Sequence, residues 1–113
     1  MNVLVVDDDP DCLQTVREEL EEMNHRCTAT KDPRVALEQF ALQDFDLVIT
    51  DYRMPFMTGS ELATKIRTKT PAAKIILLSG YFMTDKSPNE SLFHAILGKP
   101  VNIRELKSIL EQL

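Results

Sequence analysis

The stretch Asp46-Leu47-Val48-Ile49-Thr50-Asp51-Tyr52-Arg53-Met54-Pro55 decides the fold. It opens as a short, nearly continuous apolar run, and its length and β-branched content select a buried strand over a helix. The run stops at the carboxylate of Asp51, and Pro55 closes the region. An acid at the C-terminal end of a buried strand sits at the mouth of an α/β sheet, where ligands bind. Two further runs end in the same way. Val3-Leu4-Val5-Val6 leads into Asp7-Asp8-Asp9, and Lys74-Ile75-Ile76-Leu77-Leu78 leads into Ser79-Gly80. If these strands are parallel neighbours, their ends gather several carboxylates and a hydroxyl into one crevice.

The segments between the strands read as helices. Asp9-Pro10 is a cap followed by a proline that loses no needed N–H at the first helical position. Leu13, Val16, Leu20 and Met23 then recur at spacings of three and four, opposite a face of Arg17, Glu18, Glu19, Glu21 and Glu22. Arg26 to Thr30 is a less apolar strand and so belongs nearer an edge. Asp32-Pro33 repeats the capped start, with Ala36, Leu37, Phe40 and Ala41 as the inner face of a second helix. Met54 to Gly59 reads as a loop, and a third helix runs from about Ser60 to Arg67 with Leu62, Ala63 and Ile66 inward. Thr70-Pro71 breaks it. Ser87-Pro88-Asn89-Glu90 matches a capping box but leaves room for only a short fourth helix before Ala95-Ile96-Leu97. Asn102 caps a last helix with Ile103, Leu106, Ile109, Leu110 and Leu113 on one face. Five strands alternating with five helices imply βαβ units, a parallel sheet and helices on both of its faces.

Composition narrows the function. The 113 residues suit one domain, 1–113, and 43% hydrophobic content supports a real core. No apolar stretch is long enough to span a bilayer, and Asp7 to Asp9 interrupt the first run before it resembles a signal peptide. Cys12 and Cys27 form no Cys-x-x-Cys pair and read as reduced thiols of a cytoplasmic protein. A net charge of −5 without a basic block disfavours direct nucleic-acid binding, and no membrane partner is expected.

The strand ends suggest chemistry. Asp7, Asp8 and Asp51 make a hard oxygen site that suits Mg2+, and the ion would relieve their mutual repulsion. For Asp9 alone, a capping role suffices. Lys99, after the fifth strand, could pair with a carboxylate at rest and with a phosphoryl oxygen afterwards. A cis peptide before Pro100 would fix its direction, although only a minority of X–Pro bonds are cis. Ser79 offers a hydroxyl donor. Taken singly, a lysine before proline is usually solvated and a serine at a strand end is usually a turn former; the combination at four strand ends is specific.

With these residues in view, the chain resembles the receiver domain of two-component response regulators over essentially its whole length. The resemblance is carried by Val5-Val6-Asp7-Asp8-Asp9-Pro10, by Asp51-Tyr52-Arg53-Met54-Pro55 with Met57 and Gly59, by Leu78-Ser79-Gly80-Tyr81, and by Lys99-Pro100. It implies a flavodoxin-like (βα)5 three-layer sandwich with strand order 2-1-3-4-5. It also implies Asp51 as phosphoacceptor, Asp7, Asp8, Asp51 and the Arg53 carbonyl as the Mg2+ site, Ser79 as switch hydroxyl and Lys99 as the family's lysine. The implied reaction moves a phosphoryl group from a phosphohistidine of a sensor histidine kinase or histidine phosphotransfer protein to Asp51, with slow hydrolysis afterwards. A monomer or weak dimer is expected.

Two departures stand out. The switch aromatic of the family lies three residues before the lysine, where this chain has Ile96; Tyr81 and Phe93 are nearby but off that position. The shortened fourth helix, together with Ser79-Gly80-Tyr81, resembles receiver domains attached to hybrid sensor kinases, and the output face is expected to be altered. The competing readings are a pseudo-receiver that binds a partner without being phosphorylated, a flavin- or nucleotide-binding flavodoxin, and a Mg2+-dependent phosphohydrolase. Only three glycines, none in a rich loop after the first strand, argue against the flavodoxin. The absence of a cap insertion argues against the hydrolase.

Overall fold

The computed structural model describes residues 1–80 and 90–113. The strands are β1 (Asn2–Val6), β2 (Arg26–Thr30), β3 (Leu47–Asp51), β4 (Ile75–Ser79) and β5 (Ala95–Gly98). They form one parallel sheet in the order β2-β1-β3-β4-β5. The helices among the described residues are α1 (Pro10–Glu22), α2 (Pro33–Leu42), α3 (Gly59–Lys69) and α4 (Ile103–Glu111). Glu90–Leu92 is a single 3-10 turn. The expected short fourth helix and its capping box at residues 87–90 lie mostly outside the described residues.

The two-residue period of the strands divides the core into two layers. Val3, Val5, Leu47, Ile49, Ile76, Leu78 and Leu97 face Val16 and Leu20 of α1 and Leu106 and Leu110 of α4. Leu4, Val6, Val48, Ile75 and Leu77 face Ala36 of α2, Leu62, Ala63 and Ile66 of α3, and Phe93. β3 lies mid-sheet and all five of its residues are buried, which is why it reads as a continuous apolar run. The edge strand β2 is only half-buried, matching its more polar sequence.

Capping geometry sets the helix starts. Asp9 and Asp32 each accept the N–H two residues on, with proline next in the chain. α3 begins earlier than the apolar pattern suggests. The Thr58 hydroxyl accepts from Glu61 N–H at 3.1 Å, and the Glu61 carboxylate accepts from Thr58 N–H at 3.2 Å. That reciprocal box makes Gly59 the first helical residue rather than the end of a loop. Ala41, expected on the inner face of α2, is exposed. It lies five residues beyond Ala36, about 140° around the helix, outside the stripe that Ala36 and Phe40 present to the sheet.

Candidate functional site

The carboxyl ends of β1, β3, β4 and β5 open onto one rim, and parallel pairing brings their terminal residues side by side. Asp7 is the first residue beyond β1 and Asp8 follows it. Asp51 ends β3, Ser79 ends β4, and Lys99 is the first residue beyond β5. Lys99 N–H donates to the Ser79 carbonyl at 2.8 Å, so the lysine leaves the sheet against the end of β4. The Lys99–Pro100 peptide is cis.

Two acids at this rim are buried. Asp7 is fully buried and Asp51 is 7% exposed, whereas Asp8 is exposed. One oxygen from each of Asp7, Asp8 and Asp51 lies within 4.8 Å of the others. Such buried charge needs partners. Asp7 Oδ1 accepts from Asp9 N–H at 2.9 Å. Its Oδ2 meets Lys99 Nζ at 2.9 Å as an ion pair, without an aligned hydrogen bond. Asp51 Oδ1 accepts from Tyr52 N–H at 2.9 Å and lies 3.2 Å from Lys99 Nζ. A single ammonium thus faces two carboxylates, with a third acid beside them.

The electrostatics follow from that imbalance. Burial, then the charge of Asp7, pushes the Asp51 carboxyl up to about 6, against the opposing pull of Lys99. Burial alone would lower the Lys99 ammonium, but its close ion pair with Asp7 and the charge of Asp51 outweigh it and raise the group. The donor set fits a small hard cation: three carboxylates converge, and a buried Asp7 oxygen lacks an aligned donor. Arg53, whose carbonyl is expected to join them, is exposed two residues after Asp51.

Sequence reasoning missed three supports of this rim. Gly59 N–H donates to the Tyr52 carbonyl at 2.7 Å, and a β-carbon at Gly59 would collide with the backbone carbonyl of Asp51. Only glycine lets α3 start so close to the end of β3. The buried Thr50 hydroxyl donates to the Asp51 carbonyl at 2.9 Å. Cys12, one turn into α1, lines a cavity of about 510 Å³ with Asp9, Lys99, Gly80 and Pro100. Burial, then a hydrogen bond to Asp7 and its charge, pushes its thiol up to about 12, so it stays protonated and inert. Motif spacing announced Gly59 without its reason; nothing in the sequence marks Thr50 or places Cys12 at the rim.

Residues 3–111 match the family described as the response regulator receiver domain. The chain belongs to that family. This receiver domain is 27% identical to the response regulator receiver protein CpdR of Brucella abortus, over 98% of this chain and 94% of CpdR. It is 36% identical to the two-component response regulator ARR18 of Arabidopsis thaliana, over 96% of this chain but 18% of that protein. The chain thus spans about a fifth of the length of these plant relatives and nearly all of CpdR. Among solved structures, TrrA of Thermotoga maritima in complex with Mg2+-BeF superposes with a TM-score of 0.89 at 34% identity, covering 98% and 96% of the two chains. The complex of the histidine kinase ThkA with TrrA gives 0.87 at the same identity. Among the described residues no helix is long and apolar enough to cross a membrane.

Proposed function

We propose that residues 1–113 act as one cytoplasmic receiver domain that accepts a phosphoryl group on Asp51 from the phosphohistidine of a sensor histidine kinase or histidine phosphotransfer protein, in a Mg2+-dependent reaction. The observation that carries this reading is the convergence of Asp7, Asp8 and Asp51 on one point, with Lys99 against two of them. The structures of TrrA with Mg2+-BeF and with a histidine kinase support it, as does the family match.

In the transfer, an Asp51 oxygen forms the new O–P bond while the N–P bond to the donor imidazole breaks and the imidazole leaves with the bonding pair. Oδ1 is engaged by Tyr52 N–H and by Lys99, which leaves Oδ2 as the attacking oxygen. Asp7, Asp8, Asp51 and the Arg53 carbonyl would hold Mg2+, which supplies neutralising charge to the transferring group. Lys99 already stands beside Asp51 and pairs with a phosphoryl oxygen once one arrives. Ser79, at the adjacent strand end, donates its hydroxyl to the same group. The product adds about one and a half to two negative charges to the rim, enough to bias a two-state surface.

Phosphoramidate tests this, because its P–N bond stands in for phosphohistidine. Incubation with Mg2+ followed by peptide mapping places the phosphoryl group on the peptide containing Asp51. Mg2+ binding without any phosphorylation, from phosphoramidate or a kinase, would leave the pseudo-receiver as the correct reading.

A further inference from the structure

Among the described residues, two that are not glycine have a left-handed backbone: Asn24 with φ 65° and Phe56 with φ 77°. Asn24 follows the end of α1, where asparagine tolerates that conformation. Phe56 has no such tolerance, because a bulky side chain pays for positive φ. Nor is it held by burial, being 68% exposed.

Met57 N–H closes the turn onto the Pro55 carbonyl at 3.0 Å, and a side chain from another element packs on the ring. The Arg34 guanidinium carbon stands 3.4 Å from the centre of the Phe56 ring. Arg34 is itself fixed by a two-point bond to Asp32, Nε to Oδ1 at 3.1 Å and Nη2 to Oδ2 at 2.9 Å. Asp32 is anchored in turn as the cap of α2, where it accepts Arg34 N–H at 2.9 Å. The ring therefore rests on a planar cation whose own position is set by the start of a helix.

Phe56 lies in the loop between β3 and α3, which leaves the sheet directly after Asp51 and carries Arg53. The ends of that loop are tied by Gly59 N–H to the Tyr52 carbonyl, and Met54 by the Thr50 hydroxyl to its sulfur at 3.9 Å. Its strained point is closed locally by the bond from Met57 N–H to the Pro55 carbonyl, and among the described residues the Phe56 ring is met from α2 by Arg34.

We propose that Asp32, Arg34 and Phe56 form a clamp that sets the conformation of the β3–α3 loop and so places the Arg53 carbonyl beside Asp51. Arg34 and Phe56 are then positioning residues for metal binding and phosphoryl transfer. The clamp rests on the reading of Asp51 as a Mg2+-dependent phosphoacceptor. Its test compares Phe56→Asn, Phe56→Tyr and Arg34→Lys with the unsubstituted chain. Mg2+ affinity is read from amide NMR shifts at Tyr52 and Arg53, and phosphorylation rate from phosphoramidate at saturating Mg2+.

Asparagine accepts the left-handed backbone without the clamp, so Phe56→Asn should keep both the metal-free melting temperature and the Mg2+ affinity. Phe56→Tyr keeps the ring and should bind as the unsubstituted chain does. Arg34→Lys should weaken binding, because an ammonium has neither the flat face nor the fork. Unchanged Mg2+ affinity and rate in Arg34→Lys, where about a tenfold weakening is expected, would overturn the clamp alone. Failure of the unsubstituted chain to bind Mg2+ would overturn the clamp and the phosphoacceptor reading together.

Discussion

Two halves of the same rim are built on different terms. Around β1, β3 and the end of β5, charge is buried and cross-linked: Asp7 and Asp51 share Lys99, Asp9 N–H holds the other Asp7 oxygen, and Tyr52 N–H joins Lys99 on Asp51 Oδ1. On the β4–β5 flank, apolar side chains dominate among the described residues. Ile96 stands where the family pattern has an aromatic and is 37% exposed, while Phe93 is buried against the α2–α3 layer. Arg67 Nε ties the Leu92 carbonyl into this flank at 2.8 Å. One half of the rim thus keeps the acids and lysine of the family pattern, while Ile96 beside it departs from that pattern.

Substitutions on the acid half should carry the large effects. Gly59→Ala should destabilise the fold by about 3 kcal/mol in urea denaturation, because its methyl group meets the fixed backbone of Asp51 rather than a movable side chain. A loss below about 1 kcal/mol would mean that the junction of β3 and α3 yields freely. Lys99→Ala should slow phosphorylation at saturating Mg2+ by roughly 100-fold, as removal of one charge-stabilising donor does. A rate within about threefold of the parent would exclude Lys99 from charge neutralisation.

Asp51→Asn has a sign that depends on pH. The folded carboxyl titrates at about 6 against an ordinary value of 3.8, so the folded state holds the proton more tightly than the unfolded one. The neutral form's contribution to stability is fully present below about pH 4 and is lost as pH rises through 6. Asparagine cannot ionise, so in metal-free buffer the variant should be more stable than the parent by about 3 kcal/mol at pH 7, with the gain gone near pH 4. Equal stability at pH 7 would show that Lys99 balances both acids.

Asp8→Asn tests the exposed acid. Mg2+ at ten times its dissociation constant should stabilise the parent by about 1.4 kcal/mol, and the variant should lose most of that gain without losing metal-free stability. The β4–β5 flank should respond least. Ile96→Phe should change stability by less than about 0.5 kcal/mol, as substitutions at exposed sites do, and leave the phosphorylation rate unaltered. A large change in rate would erase the contrast between the two halves.

Most of this architecture is legible because local signals agree. The apolar runs, the Asp-Pro helix starts and the acids at strand ends all point to a parallel sheet with its chemistry on one rim, and Arg26 to Thr30 betrays its edge position by its polarity. Periodicity is a weaker guide at helix ends. It places Ala41 inward in the last turn of α2, where the residue is exposed, and starts α3 after Gly59, whereas the Thr58–Glu61 box sets the start at Gly59. What stayed hidden depends on distant chain segments meeting. Cys12 looks unremarkable until α1 is laid beside Asp7 and Lys99, and Phe56 reads as an ordinary loop residue until Arg34 reaches it from α2.

Whether the crowded half of the rim receives a phosphoryl group at Asp51 can be read from intact mass after incubation with acetyl phosphate, with and without Mg2+, for the parent chain and for Asp51→Asn. The structure predicts gain of one phosphoryl group in the parent with Mg2+, and none without the ion or in the variant. No gain in any condition, or an equal gain in Asp51→Asn, would contradict it.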